Sequence, residues 1–90
     1  MWRLFRHRWV HMQLERCQSH IDLIAWQIER YPANQYQISY MLLETNMINN
    51  ELMDLINEEK NLKRRWEIHQ VIHELDQVNI KLYQRQQNCI

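Results

Sequence analysis

The chain contains no glycine and only one proline, Pro32, in 90 residues. Glycine supplies the positive-φ positions that tight hairpins and phosphate-binding loops require, and proline presets the first position of many other turns. A chain that lacks both has little from which to build a sheet with short turns. The sequence therefore predicts an all-α protein, either an antiparallel helical hairpin or a three-helix bundle with coiled-coil-type packing.

Helix one is predicted over residues 1–31. Apolar residues recur there at alternating steps of four and three, which places them on one face of a helix in the manner of a coiled-coil seam. This first seam consists of Val10, Leu14, Cys17, Ile21, Ile24, Ile28 and Tyr31. Pro32 cannot continue the helix because its ring clashes with the carbonyl four residues earlier, but it suits the first turn of the next helix.

Helix two is predicted over residues 33–56, with Asn34 available as its N-cap. Its seam consists of Ile38, Met41, Thr45, Ile48, Leu52 and Leu55. Because the connection to helix one is so short, the two helices must run antiparallel and pack against each other.

Helix three is predicted over residues 58–86, since the apolar phase slips between about 57 and 67. Its seam consists of Ile68, Val71, Leu75, Val78 and Leu82. Asn57 is predicted as the N-cap, followed by acids that complement the helix dipole, and Glu59 is spaced to pair with Lys63. One unbroken helix over 33–86 is the alternative. All 90 residues are predicted to form a single helical domain, because the chain is too short for two. The hydrophobic core of so short a chain is marginal.

No catalytic arrangement is present. Cys17 lies on the first seam, where it behaves as a small hydrophobe, and Ser19 and Ser39 lie within helices without a strained turn to present them. We expect a protein that is not an enzyme and has no cofactor.

Two histidine pairs have the i,i+4 spacing of some metal sites, with a carboxylate on the same face: His7 and His11 with Glu15, and His69 and His73 with Asp76. Neither set follows the H-E-x-x-H order, and surface helices acquire such pairs by chance. We therefore expect no metal site, although the spacing alone does not decide whether either histidine pair binds an ion.

A second apolar stripe lies on helix one, opposite the seam. It consists of Trp2, Phe5, Trp9, Met12, Leu23 and Trp26. Two apolar faces on one helix need two partners. Helix three covers one of these faces in one interpretation. In the other, the stripe docks another protein, because tryptophan is a favoured interface anchor. These six residues are the predicted partner-binding site.

The charges balance, with 11 basic and 11 acidic residues, so no overall field draws the chain to nucleic acid. Residues 1–12 are nevertheless basic, aromatic and amphipathic, which is typical of helices that lie on a membrane surface. An alternative function is therefore a small accessory subunit of a membrane or organelle complex, with residues 1–12 as an amphipathic foot. The longest apolar runs have four residues, far too few for a membrane-spanning helix.

The start of helix two carries a short motif. Gln35-Tyr36-Gln37 follows the predicted turn and is itself followed by Leu42-Leu43-Glu44 and an apolar pattern that ends at Ile56. Over residues 14–56 this arrangement resembles the small helical-hairpin co-chaperones of bacterial type III secretion needle proteins, whereas residues 1–12 and 57–90 have no counterpart.

The resemblance implies a cytoplasmic, non-enzymatic protein that pairs with a second chaperone and keeps a polymerising secreted subunit soluble. The outer face of the hairpin would then make the contact with the partner. A homodimeric coiled-coil scaffold is a further alternative, since surplus apolar faces also favour self-association.

Overall fold

The computed structural model describes residues 2–30 and 34–88, except for the side chains of residues 2–4. These residues form three helices, α1 (Trp2–Arg30), α2 (Gln35–Glu58) and α3 (Leu62–Asn88). Each helix contacts the other two, and the bundle measures 53 × 17 × 16 Å. The all-α prediction is confirmed, and of its two forms the chain adopts the three-helix bundle.

Polar contacts between the helices define their directions. Between α1 and α2, the contacting pairs are Arg6–Glu58, Arg16–Glu51 and His20–Glu44. Between α1 and α3, they are His7–Arg64, Gln18–Glu74 and Glu29–Lys81. Residue numbers rise on α1 as they fall on α2, whereas they rise together on α1 and α3. The chain therefore runs up, down and up, and both α1 and α3 begin where α2 ends.

A single hydrophobic core runs along the bundle axis, and all three predicted seams contribute to it. The buried residues of the seams are Val10, Leu14, Cys17, Ile21, Ile24, Ile28, Ile38, Met41, Thr45, Ile48, Leu52, Leu55, Ile68, Val71, Leu75, Val78 and Leu82. The seam predictions are confirmed for the described residues, because positions three and four apart share one face of a helix. Tyr31, which was assigned to the first seam, lies outside the described residues.

A reciprocal cap closes the start of α2. Asn34 Oδ1 accepts the backbone N–H of Gln37 at 2.9 Å, and Gln37 Oε1 accepts the backbone N–H of Asn34 at 3.1 Å. This capping box satisfies two donors that the helix itself leaves unpaired. The predicted cap is confirmed, and α2 begins at Gln35 rather than at residue 33. Pro32 lies outside the described residues.

The turn between α2 and α3 occupies residues 59–61, later than predicted. The assignment of Asn57 as the cap of helix three is wrong, because α2 continues through it while the neighbouring Ile56 is still buried in the core. Asn61 caps α3 instead, and its Oδ1 accepts the backbone N–H of Arg64 at 3.1 Å. The helix ends where its buried face ends, and the polar residue that follows that point becomes the cap, even when another suitable side chain comes earlier.

The third helix therefore begins at Leu62 rather than at residue 58, and the alternative of one unbroken helix over 33–86 is wrong. The predicted pairing of Glu59 with Lys63 is also wrong. Glu59 precedes α3 and turns inward, where only 4% of it is exposed, and its carboxylate pairs with Arg64.

Candidate protein-binding surface

The predicted partner-binding stripe lies on the outside of α1. Five of its side chains are exposed: Phe5 by 69%, Trp9 by 44%, Met12 by 64%, Leu23 by 52% and Trp26 by 46%. The sixth, Trp2, has its side chain outside the described residues. Neither α2 nor α3 covers these five residues, because both helices pack on the seam side of α1. The stripe is thus surface rather than core.

The stripe is divided into two patches. We name Phe5, Trp9 and Met12 the amino-terminal patch, and Leu23 with Trp26 the carboxy-terminal patch. Met12 and Leu23 are eleven positions apart, which separates the two patches by about 16 Å along the helix. The carboxy-terminal patch also has a cation contact, since the Arg30 guanidinium lies 5.5 Å from the centroid of the Trp26 ring.

A further exposed apolar stripe lies on α2, and the sequence analysis missed it. This α2 stripe consists of Tyr36, Tyr40, Leu43 and Met47, which are exposed by 86%, 64%, 57% and 59%. The spacing of four, three and four residues puts them on the face opposite the core seam. This spacing is present in the sequence, but the longer apolar seam on the same helix is the more prominent pattern and was the one predicted.

A groove of about 250 Å³ separates α1 from α2 beside this stripe. One ion pair and one histidine–carboxylate contact cross it: Arg16 Nη2 lies 2.6 Å from Glu51 Oε2, and His20 contacts Glu44. Tyr40 and Met47 line the same groove. Its lining is therefore a mixture of polar contacts and apolar side chains.

The thiol of Cys17 faces the floor of this groove. Its Sγ lies 3.7 Å from Glu51 Oε2, and only 2% of the residue is exposed. Burial, together with the nearby Glu51 carboxylate, raises the pKa of Cys17 to about 11. Because the thiolate is the nucleophilic form, this cysteine is held in its unreactive state.

The histidine pairs make contacts of other kinds. His11 Nε2 lies 3.0 Å from Glu15 Oε1, and His7 Nδ1 lies 3.2 Å from an Arg64 nitrogen. His69 and His73 are exposed on α3. Within residues 2–30 and 34–88, no three His, Cys, Asp or Glu side chains come together in a way that could hold a metal ion.

The basic amino-terminal segment is part of the bundle. Arg6 Nη2 donates to the Glu58 backbone carbonyl at 3.3 Å and lies 4.0 Å from its carboxylate, while His7 contacts Arg64. The sequence carries a second basic cluster, Lys60, Lys63, Arg64 and Arg65, and the fold places it at the same end of the bundle as Arg6 and His7. None of the described helices combines the length and the apolar character needed to cross a membrane.

Comparisons of the chain with protein-family models, curated proteins and solved structures find no match. The inference of function therefore depends on the chemistry of the surface described above.

Proposed function

We propose that this protein is a non-enzymatic, protein-binding helical bundle, and that the amino-terminal patch of α1 docks an amphipathic helix of another protein. The observation that supports this is the exposure of Phe5, Trp9 and Met12 on a helix whose opposite face already fills the core. Clustered exposed apolar side chains mark interaction sites, and aromatic residues are typical anchors of such interfaces.

The charges beside the patch indicate what kind of helix would fit. Arg8 is exposed next to Trp9, and Arg16 follows Met12 by one turn. A partner helix with an apolar face flanked by acidic residues would match the aromatic side chains and the Arg8 guanidinium, whereas Arg16 already pairs with Glu51 within the bundle.

The resemblance of residues 14–56 makes a cytoplasmic secretion co-chaperone the specific form of this proposal, with the difference that the amino-terminal patch lies within residues 1–12, which have no counterpart in that family. In that form the partner is a second small chaperone or a polymerising secreted subunit. Such a subunit exposes apolar helix surface before it assembles, and an aromatic patch on a small bundle is suited to cover that surface.

A mild affinity capture from native cells tests the proposal with three tagged forms of the chain: wild type, Phe5→Glu with Trp9→Glu, and Trp66→Glu. The last is the matched control, because Trp66 is 63% exposed on a different helix. We expect the same specific proteins to be recovered with wild type and the control and to be lost with the double variant. Recovery of a small chaperone or a filament subunit supports the co-chaperone form.

Two outcomes contradict the proposal. Equal recovery with the double variant would show that the patch does not bind. Loss of helicity by circular dichroism in the double variant would show that Phe5 and Trp9 belong to the folded core rather than to an interface.

The membrane-foot alternative uses the same exposed patch, because apolar side chains next to Arg8 are also typical of helices at lipid surfaces. Flotation of the full chain with liposomes that contain anionic lipid distinguishes the two. Salt-sensitive flotation that Phe5→Glu with Trp9→Glu abolishes would favour the foot, whereas no flotation would favour the protein partner.

A further inference from the structure

We infer that the α2 stripe is a homodimer interface, in which α2 packs antiparallel against α2 of a second copy of this chain about a two-fold axis. This surface lies on a different helix from the amino-terminal patch, and the inference does not depend on the function proposed above. The inference starts from the exposure of this stripe. Its four residues share one face of α2 and are all at least 57% exposed: Tyr36, Tyr40, Leu43 and Met47.

The order of side-chain sizes along the stripe makes it complementary to itself. Two aromatic residues occupy its first half, and two aliphatic residues occupy its second half. An antiparallel pair centred between Met41 and Leu42 places Tyr36 opposite Met47 and Tyr40 opposite Leu43 of the second copy. Each large ring then faces a smaller side chain, which is the alternation that fills a packed layer without voids.

The charges of α2 favour the same arrangement. Every charged residue of this helix is acidic, and three of the four lie beyond Met47: Glu51, Asp54 and Glu58. Glu51 and Glu58 pair with Arg16 and Arg6 within the monomer, so the acid that a parallel pair would set unfavourably beside its own copy is Asp54. The antiparallel pair separates the two Asp54 carboxylates and directs each towards the end of the second copy where Arg30 and Arg85 are exposed.

The stripe has the composition of an interface and supplies more than half of the usual area. The neighbouring residues on one side, Ser39, Asn46 and Asn50, are uncharged, as is usual at the centre of protein contacts. The four apolar side chains together expose roughly 500 Å², given that an aromatic side chain can bury about 150–250 Å². A standard interface buries about 800 Å² per partner, so the flanking polar residues suffice to supply the rest. A dimer of this size is expected to have a Kd in the micromolar range, of order 1–100 μM.

Sedimentation equilibrium of the full chain at about 5–500 μM tests the inference. We expect the mass of the wild type to rise with concentration from 11.4 kDa towards twice that value. Leu43→Glu with Met47→Glu should raise the Kd by at least about 100-fold, because two carboxylates would then meet near the axis in place of the Leu43 pair and another would replace each Met47 opposite Tyr36. The matched control is Ile80→Glu, at an apolar position of α3 that is 51% exposed, and it should leave the Kd within about twofold of wild type.

The orientation is tested by the distance between nitroxide spin labels on Asn57→Cys in a Cys89→Ser chain, where Cys17 is buried. An antiparallel pair with the register above places the two labels about 45 Å apart, whereas a parallel pair brings them within about 20 Å. Tyr36→Glu, at the most exposed position of the stripe, provides a second variant if the double glutamate variant loses helicity.

A wild type that stays monomeric at 500 μM would overturn the inference, as would a short label distance or a folded double variant that associates like wild type. Capture of a different protein through the α2 stripe by a monomeric wild type would overturn the second copy as the occupant. The two proposals are separable, because Leu43→Glu with Met47→Glu should leave capture through α1 intact, and Phe5→Glu with Trp9→Glu should leave the dimer intact.

Discussion

Glu59 and Arg64 form an ion pair that joins the end of α2 to the start of α3, with Arg64 Nε 3.1 Å from Glu59 Oε1 and only 3% of the Glu59 side chain exposed. Burial acts to raise the pKa of Glu59. The Asn61 backbone N–H at 3.0 Å and the nearby Arg64 outweigh burial and hold the pKa below its usual value of 4.5. The turn is therefore stabilised by a carboxylate that must remain ionised.

Glu59→Gln is expected to lower the free energy of unfolding by roughly 1.5–2 kcal/mol, because it removes the negative charge while the Arg64 guanidinium stays largely buried. Urea unfolding followed by circular dichroism measures the change. Glu58→Gln is the matched control, since Glu58 is exposed and lies 4.0 Å from Arg6, and it should change stability by less than about 0.5 kcal/mol. Equal effects of the two substitutions would show that the buried pair of Glu59 and Arg64 contributes no more to the free energy of unfolding than the exposed pair of Glu58 and Arg6.

The same carboxylate makes stability depend on pH in the acid range. The pKa of Glu59 is lower in the folded than in the unfolded chain, so its contribution is fully present above about pH 4.5 and is lost as the pH falls through the folded-state value. Urea unfolding of wild type and Glu59→Gln between pH 7 and pH 3 should show two stability curves that converge on acidification. A constant difference between them would contradict the assigned pKa direction.

Two leucines of α2 test which of its faces is the core. Leu52 is fully buried and Leu43 is 57% exposed. Leu52→Ala should lower the free energy of unfolding by about 3 kcal/mol through lost burial and a residual cavity, whereas Leu43→Ala should change it by less than about 0.5 kcal/mol. Both are measured by urea unfolding at low protein concentration, where dimerisation adds nothing. A large loss for Leu43→Ala would mean that the α2 stripe is packed within the monomer.

Cys17 is expected to resist modification while the protein is folded. Its pKa of about 11, against 9.0 for an ordinary thiol, reduces the thiolate present at pH 8 by about 100-fold, and burial slows access further. The rate of reaction with 5,5′-dithiobis(2-nitrobenzoate) in a Cys89→Ser chain, with and without urea, checks this expectation. Ser19→Cys, an exposed position on the same helix, is the reactive control. Comparable native rates at the two positions would refute the burial of Cys17.

Much of the fold is determined by local sequence patterns. A helix repeats every 3.6 residues, so apolar side chains spaced by three and four must share one face, and the seams from Val10, Ile38 and Ile68 onwards became the buried lines of the bundle. The capping box of Asn34 and Gln37 is local in the same sense, because both partners lie within one turn.

Tertiary packing decided what local patterns left open. The acids after Asn57 made it the predicted cap, but α2 passes it because Ile56 is still buried against the other helices, and Asn61 caps α3 instead. Glu59 pairs with Arg64 rather than with Lys63, which has the i,i+4 spacing of a helical pair, because a turn rather than a helix follows Glu59. The spacing of the α2 stripe is already present in the sequence, but the packing of α1 and α3 decided that this face stays exposed. The side of a helix that remains exposed depends on where its neighbours lie, and their positions are set by contacts between residues distant in the chain.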